Sequence, residues 1–171
     1  FFELFGAVIF NAEKIDTHGG SLRIYVKKNK KIKINSNVKK ILNEEKKFGL
    51  NKYETYKDFG EKICKIKNKV VRKITQLKNE KNIIIGYGSP AKATTALNFF
   101  GLSDEIDCIV EDNKLKQGKF LPGMKIPIVA KEDLKGKPNY ALVLAWNFFD
   151  EIKKNNRGLA HKFISIKDIE I

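Results

Sequence analysis

The run Ile83–Leu97, IIIGYGSPAKATTAL, constrains this chain more than any other stretch, because an apolar strand pattern breaks at glycine, serine and proline and resumes with helical spacing. Such a break is a βα turn. Gly86 and Gly88 allow a tight backbone path, and a serine–proline pair predicts a helix start with Ser89 as cap and Pro90 at the first position. The N–H groups and dipole of a helix begun this way suit an anion. Gly86, Gly88 and Ala91 fit the permissive G-x-G-x-x-G/A pattern, and Glu111 and Asp112 follow at about the 20-residue distance of a ribose-binding carboxylate. The alternative role for the same glycines is close helix–strand packing.

From Asn82 onward strands and helices alternate. The expected strands are Asn82–Tyr87, Ile106–Glu111, Ile128–Val129, Tyr140–Ala145 and Phe163–Ile166, with helices near Ala91–Phe100, Glu132–Leu134 and Phe148–Asn155. Continuous apolar strands such as NIIIGY and YALVLAW belong in a sheet covered by helices on both faces. The fold class expected is α/β, a Rossmann-like three-layer domain with a mostly parallel sheet, preceded by a β-hairpin and a long helix.

The hairpin is read from Ala7–Ile15 and Ser21–Lys27, joined through Asp16, Thr17, His18, Gly19 and Gly20. Beyond polar, basic Lys28–Lys40, the residues Tyr53, Tyr56, Phe59, Ile63, Ile66, Val70, Ile74 and Leu77 recur at steps of three and four and form one apolar helical stripe, expected to pack against the domain that follows. Three segments result: a hairpin over 1–34, a helical connector over 35–80 and the α/β domain over 81–171. The opening FFELFG, without an initiator Met, reads as the end of a larger domain.

The 171 residues carry a formal charge of +14, which invites a nucleic-acid partner. Against that, the lysines are scattered and no aromatic residues are interleaved with them in an RNA-binding pattern, so solvated faces are the expected reading. No apolar stretch approaches the roughly 20 residues of a membrane helix, and the expectation is a soluble, cytoplasmic protein. Cys64 and Cys108 lack metal or redox spacing, and His18 and His161 are too isolated to form a metal site.

Four segments should converge at the carboxyl edge of the sheet, where ligands of doubly wound folds bind. They are Gly86–Lys92, including Tyr87; Glu111, Asp112 and Asn113; the connection GKFLPGMKIPI, whose Pro122–Gly123 turn would cover a ligand; and Trp146 with Asn147. Each also has an ordinary structural role: Lys92 solvated, the carboxylates capping a turn, Asn113 left-handed, Trp146 in the core.

At THGGSLRIYV, GYGSPAKATTALNFFGL, IVEDNKLKQGKFLPGMKIPIV and YALVLAWNFFDEI, the chain resembles the C-terminal part of the S-adenosylmethionine-dependent sugar C-methyltransferases, which methylate a carbon of nucleotide-linked deoxysugars. The resemblance runs through almost the whole chain with its motifs in order. In that family an N-terminal zinc-binding domain and a central methyltransferase domain precede a Rossmann-like C-terminal domain, and the sugar nucleotide binds between the last two.

The resemblance implies that His18, Gly19, Gly20 and Ser21 form the loop of the central domain's final hairpin, facing the active cleft. It implies that Gly86–Thr94 is the C-terminal domain's turn and that Asn147 is its strand-end asparagine. The family's methyl-donor loop, zinc cysteines and Tyr/Glu/His cluster with the general base all lie upstream of Phe1. S-adenosylmethionine and zinc are therefore expected in the full-length parent and neither in this fragment, and no catalytic residue is assigned. The expected partners are a nucleotide-linked sugar and the N-terminal part of the same polypeptide, with neither nucleic acid nor membrane. Two other functions stay open: a free-standing NAD-type binding module, and a structural domain dimerising through its helix stripe.

Overall fold

The computed structural model describes residues 1–28 and 31–169, leaving aside the side chains of His18, Lys167 and Asp168. Contacts divide the chain into two units, Phe1–Glu61 and Lys62–Ile171.

In the first unit, strands β1 (Val8–Ile15) and β2 (Ser21–Lys27) pair antiparallel from Val8↔Lys27 to Ile15↔Ser21, with a register shift between Ile9 and Asn11. Gly19 and Gly20 close the hairpin at φ +88° and +117°, conformations that L side chains rarely adopt. Helix α1 (Ser36–Phe48) begins where Asn35 Oδ1 accepts the Asn37 N–H, and ends at Gly49 in the left-handed conformation. The basic stretch 28–40 thus already contains the start of a helix that the apolar pattern had not delimited.

Helix α2 (Tyr53–Asn79) carries the stripe anticipated from the periodicity. Its buried part is the C-terminal half: Val70, Ile74 and Leu77 are enclosed, whereas Tyr53, Tyr56 and Phe59 lie open to solvent. Each enclosed aliphatic side chain contributes about 1.5–3 kcal/mol by leaving water, so the second half of α2 is anchored on the α/β core.

That core is a five-stranded, wholly parallel sheet. Strands β3 (Ile84–Tyr87), β4 (Cys108–Val110), β5 (Ile128–Val129), β6 (Tyr140–Val143) and β7 (Lys162–Ser165) lie in the order β5-β4-β3-β6-β7. Alternation along β3 splits the interior. Ile84 joins a cluster with α2 and with Ala93, Leu97 and Phe100 of α3 (Ala91–Phe100), while Ile85 and Tyr87 join a second cluster with Phe149 and Ile152 of α4 (Phe149–Asn155). Helices therefore cover both faces. The chain departs from β3 to one side through β4 and β5 and to the other through β6 and β7, which places the topological switch point between β3 and β6.

Gly86 is a packing glycine. A Cβ there would stand 2.8 Å from Leu144 Cδ1 and 3.0 Å from Ile109 Cγ1, so its missing side chain leaves the room that the Leu144 and Ile109 side chains fill. The expected Ser89 cap is not formed. Pro90 occupies the N-cap position of α3, where its carbonyl accepts the Ala93 N–H, and the Ser89 hydroxyl is turned to Glu111 instead. A carboxylate offers that hydroxyl a charge-assisted partner, stronger than a neutral capping bond.

Candidate functional site

At the carboxyl end of β3 the backbone turns through Gly88, at φ +84°, whose N–H donates to Val110 O at 2.8 Å. A Cβ at Gly88 would approach Ala145 Cβ to 3.3 Å, so the turn lies close against the end of β6. Immediately beyond it a cleft of about 550 Å³ opens across the ends of β3, β4, β5 and β6. Tyr87, Gly88, Ser89, Glu111 and Asp112, all singled out from the sequence, line it together.

Glu111 organises the turn. Its Oε2 accepts the Ser89 N–H at 2.8 Å and the Ser89 hydroxyl at 2.6 Å, and its Oε1 accepts the Asn113 N–H at 3.0 Å. Lys116 Nζ stands 3.4 Å from Oε2 and donates to Ser89 O at 3.0 Å. Gln117 Nε2 ties the same segment down by donating to Glu111 O at 2.7 Å. Burial opposes ionisation of Glu111, but the bonds from Ser89 and Asn113 and the charge of Lys116 outweigh it and hold its carboxyl below the ordinary value.

Asp112 anchors a second network. Lys131 Nζ lies 2.8 Å from its Oδ1, and the Tyr87 hydroxyl donates to its Oδ2 at 2.8 Å, with the Lys131 ammonium 5.5 Å from the Tyr87 ring centroid. The bond from Lys131 lowers the Asp112 pKa despite partial burial; burial, above all, raises that of the Tyr87 phenol. Lys131 itself is raised: partial burial works against its charge, and bonds to Asp112 and Tyr87 more than compensate.

Other candidates are placed elsewhere. Lys92 and Trp146 pair with each other, the ammonium 4.7 Å from the ring centroid, beside a separate apolar groove of about 470 Å³ with Ile66 and Phe99. Asn147 is exposed in a short 3-10 turn, Trp146–Phe148, and does not line the strand-end cleft. The Pro122–Gly123 turn is docked on α3, where Asn98 Nδ2 donates to Pro122 O at 3.0 Å. Asn113 makes a local turn, its Oδ1 accepting the Leu115 N–H, and is not left-handed. In the first unit Gly20 and Ser21 border a groove with Asp16 and Lys14, Ser21 Oγ donating to Thr17 O; Gly19 lies in the adjoining 3-10 turn, and the His18 side chain lies outside the described residues.

A model of the C-methyltransferase C-terminal domain family matches residues 16–165. The chain belongs to that family. It is also 31% identical over 159 residues to the C-methyltransferase NovU of Streptomyces niveus, an alignment covering 91% of this chain and 38% of that relative. The chain thus spans well under half the length of the curated relative it matches.

The C-methyltransferase C-terminal domain adds cleft residues that the sequence did not single out: Lys116, Lys131, Phe148, Glu151, Asn155 and Asn156. Lys131 could have been found, since it stands two residues beyond β5, at the same edge as the glycine turn. The α4 residues carried no such signal, because they reach the cleft from a helix and not from a strand end. Among the described residues no group of three His, Cys, Asp or Glu side chains could hold a metal ion, and no helix is long and apolar enough to cross a membrane. Cys64 and Cys108 are both free thiols.

Proposed function

We propose that this chain is the C-terminal part of an S-adenosylmethionine-dependent sugar C-methyltransferase, and that it contributes to binding a nucleotide-linked sugar. The observation that carries this reading is the cleft at the switch point, where Ser89, Glu111, Asp112, Lys116 and Lys131 converge in a C-methyltransferase C-terminal domain. The parent reaction would remove a proton beside a ketone of the sugar, stabilise the enolate-like species and transfer a methyl group to that carbon. In this reading residues 1–34 end the methyltransferase domain, 35–80 connect, and 81–171 form the accessory domain.

In this reading the methyl donor and zinc belong to the rest of the parent polypeptide. Among the described residues no group of three His, Cys, Asp or Glu side chains forms a zinc site, and Glu111 and Asp112 are already bonded to Ser89, Tyr87 and Lys131 within the chain. The role left to these residues is binding and orientation. Holding reactants in alignment can be worth roughly 7–11 kcal/mol of barrier at best, so binding and orientation alone influence rate.

Calorimetric titration of the 171-residue chain with uridine diphosphate glucose, NAD and S-adenosylmethionine tests the proposal. Heat of binding is expected with the nucleotide-linked sugar alone. Binding of NAD without binding of the nucleotide sugar would replace the proposal with the dinucleotide-module alternative.

A further inference from the structure

The place at which a doubly wound fold usually holds a phosphate is the turn between its first strand and the following helix, where backbone N–H groups face the ligand. Here that place is filled from within. One carboxylate, Glu111, collects two backbone N–H groups, a hydroxyl and an ammonium from Ser89, Asn113 and Lys116. The Ser89 N–H and hydroxyl are the turn's own donors to a phosphate, and Asn113 and Lys116 join them from the segment that follows β4. Ser89 is more than nine-tenths buried, and the Glu111 side chain is only 13% exposed, so an incoming phosphate cannot share the donors without displacing the carboxylate.

The rest of the cleft points the same way. In a chain of net charge +14, its lining carries three carboxylates, Glu111, Asp112 and Glu151, against two ammonium groups, Lys116 and Lys131. Both of those lysines are already paired, at 3.4 Å and 2.8 Å. The lining also includes the Glu151 carboxylate, the Asn155 amide and the exposed ring of Phe148. Acceptors, an amide and an aromatic face match a ring bearing hydroxyl groups far better than a pyrophosphate.

We infer that Glu111 is a specificity-determining residue that stands in for a phosphate, so that the strand-end cleft receives the uncharged hydroxylated part of its ligand and excludes the pyrophosphate. This rests on the proposed nucleotide-sugar reading but makes a claim of its own. The cleft keeps the layout of a dinucleotide fold while its phosphate position is satisfied by the protein.

The test follows the backbone amide resonances of Ser89 and Asn113 in the full chain, as wild type, Glu111→Ala and Glu111→Gln, during titration with inorganic pyrophosphate and separately with uridine diphosphate glucose. Wild type should leave both amides unmoved by pyrophosphate. Glu111→Ala should move both, with at least tenfold tighter pyrophosphate binding, and Glu111→Gln should show a smaller gain if the alanine variant does not fold. The nucleotide sugar should move Phe148 and Asn155 in wild type. Pyrophosphate shifts at Ser89 in wild type, or no gain in a folded variant, would overturn the inference while leaving nucleotide-sugar binding intact. So would nucleotide-sugar shifts confined to residues outside this cleft. Absence of any response to the nucleotide sugar, with the pyrophosphate results as expected, would instead sink the functional proposal and, with it, the cleft's hydroxylated ligand, leaving only Glu111's occupation of the phosphate position.

Discussion

Ser89 donates twice to a single oxygen of Glu111, through its N–H at 2.8 Å and its hydroxyl at 2.6 Å, and this pair locks the glycine turn of β3 to the end of β4. Segments 22 residues apart in sequence are thereby held as one rim of the cleft.

Glu111→Gln should cost about 1.5–3 kcal/mol at pH 7, the scale of hydrogen bonds to a charged group. The pH dependence has a fixed sign. The folded-state pKa values of Glu111 and Asp112 are both depressed, so their contribution is complete above the unfolded carboxylate values of about 4 and is lost as pH falls through the lower folded values. Urea unfolding at pH 7 and pH 3 should show the gap between wild type and Glu111→Gln closing in acid.

Gly86→Ala should destabilise by about 1–3 kcal/mol, because the new methyl group meets Leu144 and Ile109 inside the sheet. Gly88→Ala should cost about 1–2 kcal/mol for a different reason, the left-handed backbone at φ +84°. Thermal melts of the two variants measure both, and a Gly86→Ala melt equal to wild type would contradict the packing assigned to β3.

The thiols should separate by reactivity. Cys64 is exposed, whereas burial, aided by the neighbouring Asp107 charge, pushes the Cys108 thiol up to about 11. At pH 8 a disulfide reagent should titrate one thiol rapidly in the native protein and the second only after denaturation.

Lys92→Met should change the fluorescence of Trp146, the chain's single tryptophan, and shift stability by no more than about 1 kcal/mol. Uridine diphosphate glucose affinity should be unaltered, since Lys92 faces the apolar groove and not the strand-end cleft.

The strand and helix pattern from Ile83 to Ser165 was legible because each strand is a short apolar run bounded by turn residues. The convergence of Gly88, Ser89, Glu111 and Asp112 followed from the rule that loops at the carboxyl ends of parallel strands meet. The direction of the Glu111 side chain was hidden. Adjacent acidic residues at a strand end diverge, and only the fold reveals that Glu111 turns to Ser89 while Asp112 turns to Tyr87 and Lys131. Periodicity likewise marks the stripe on α2 but not which of its residues are enclosed: Val70, Ile74 and Leu77 are buried, whereas Tyr53, Tyr56 and Phe59 are exposed. The end of β5 was legible at Val129, but nothing in the local pattern distinguishes Lys131 from the many lysines scattered along the chain.

A crystal structure of the chain with saturating uridine diphosphate glucose tests the central claim most directly. The hexose should lie in the strand-end cleft against Phe148, within hydrogen-bonding reach of Asn155, with the pyrophosphate outside the Ser89 turn and the Ser89–Glu111 bonds intact. Phosphate oxygens bonded to the Ser89 N–H, or a ligand seated in the groove beside Lys92 and Trp146, would contradict it.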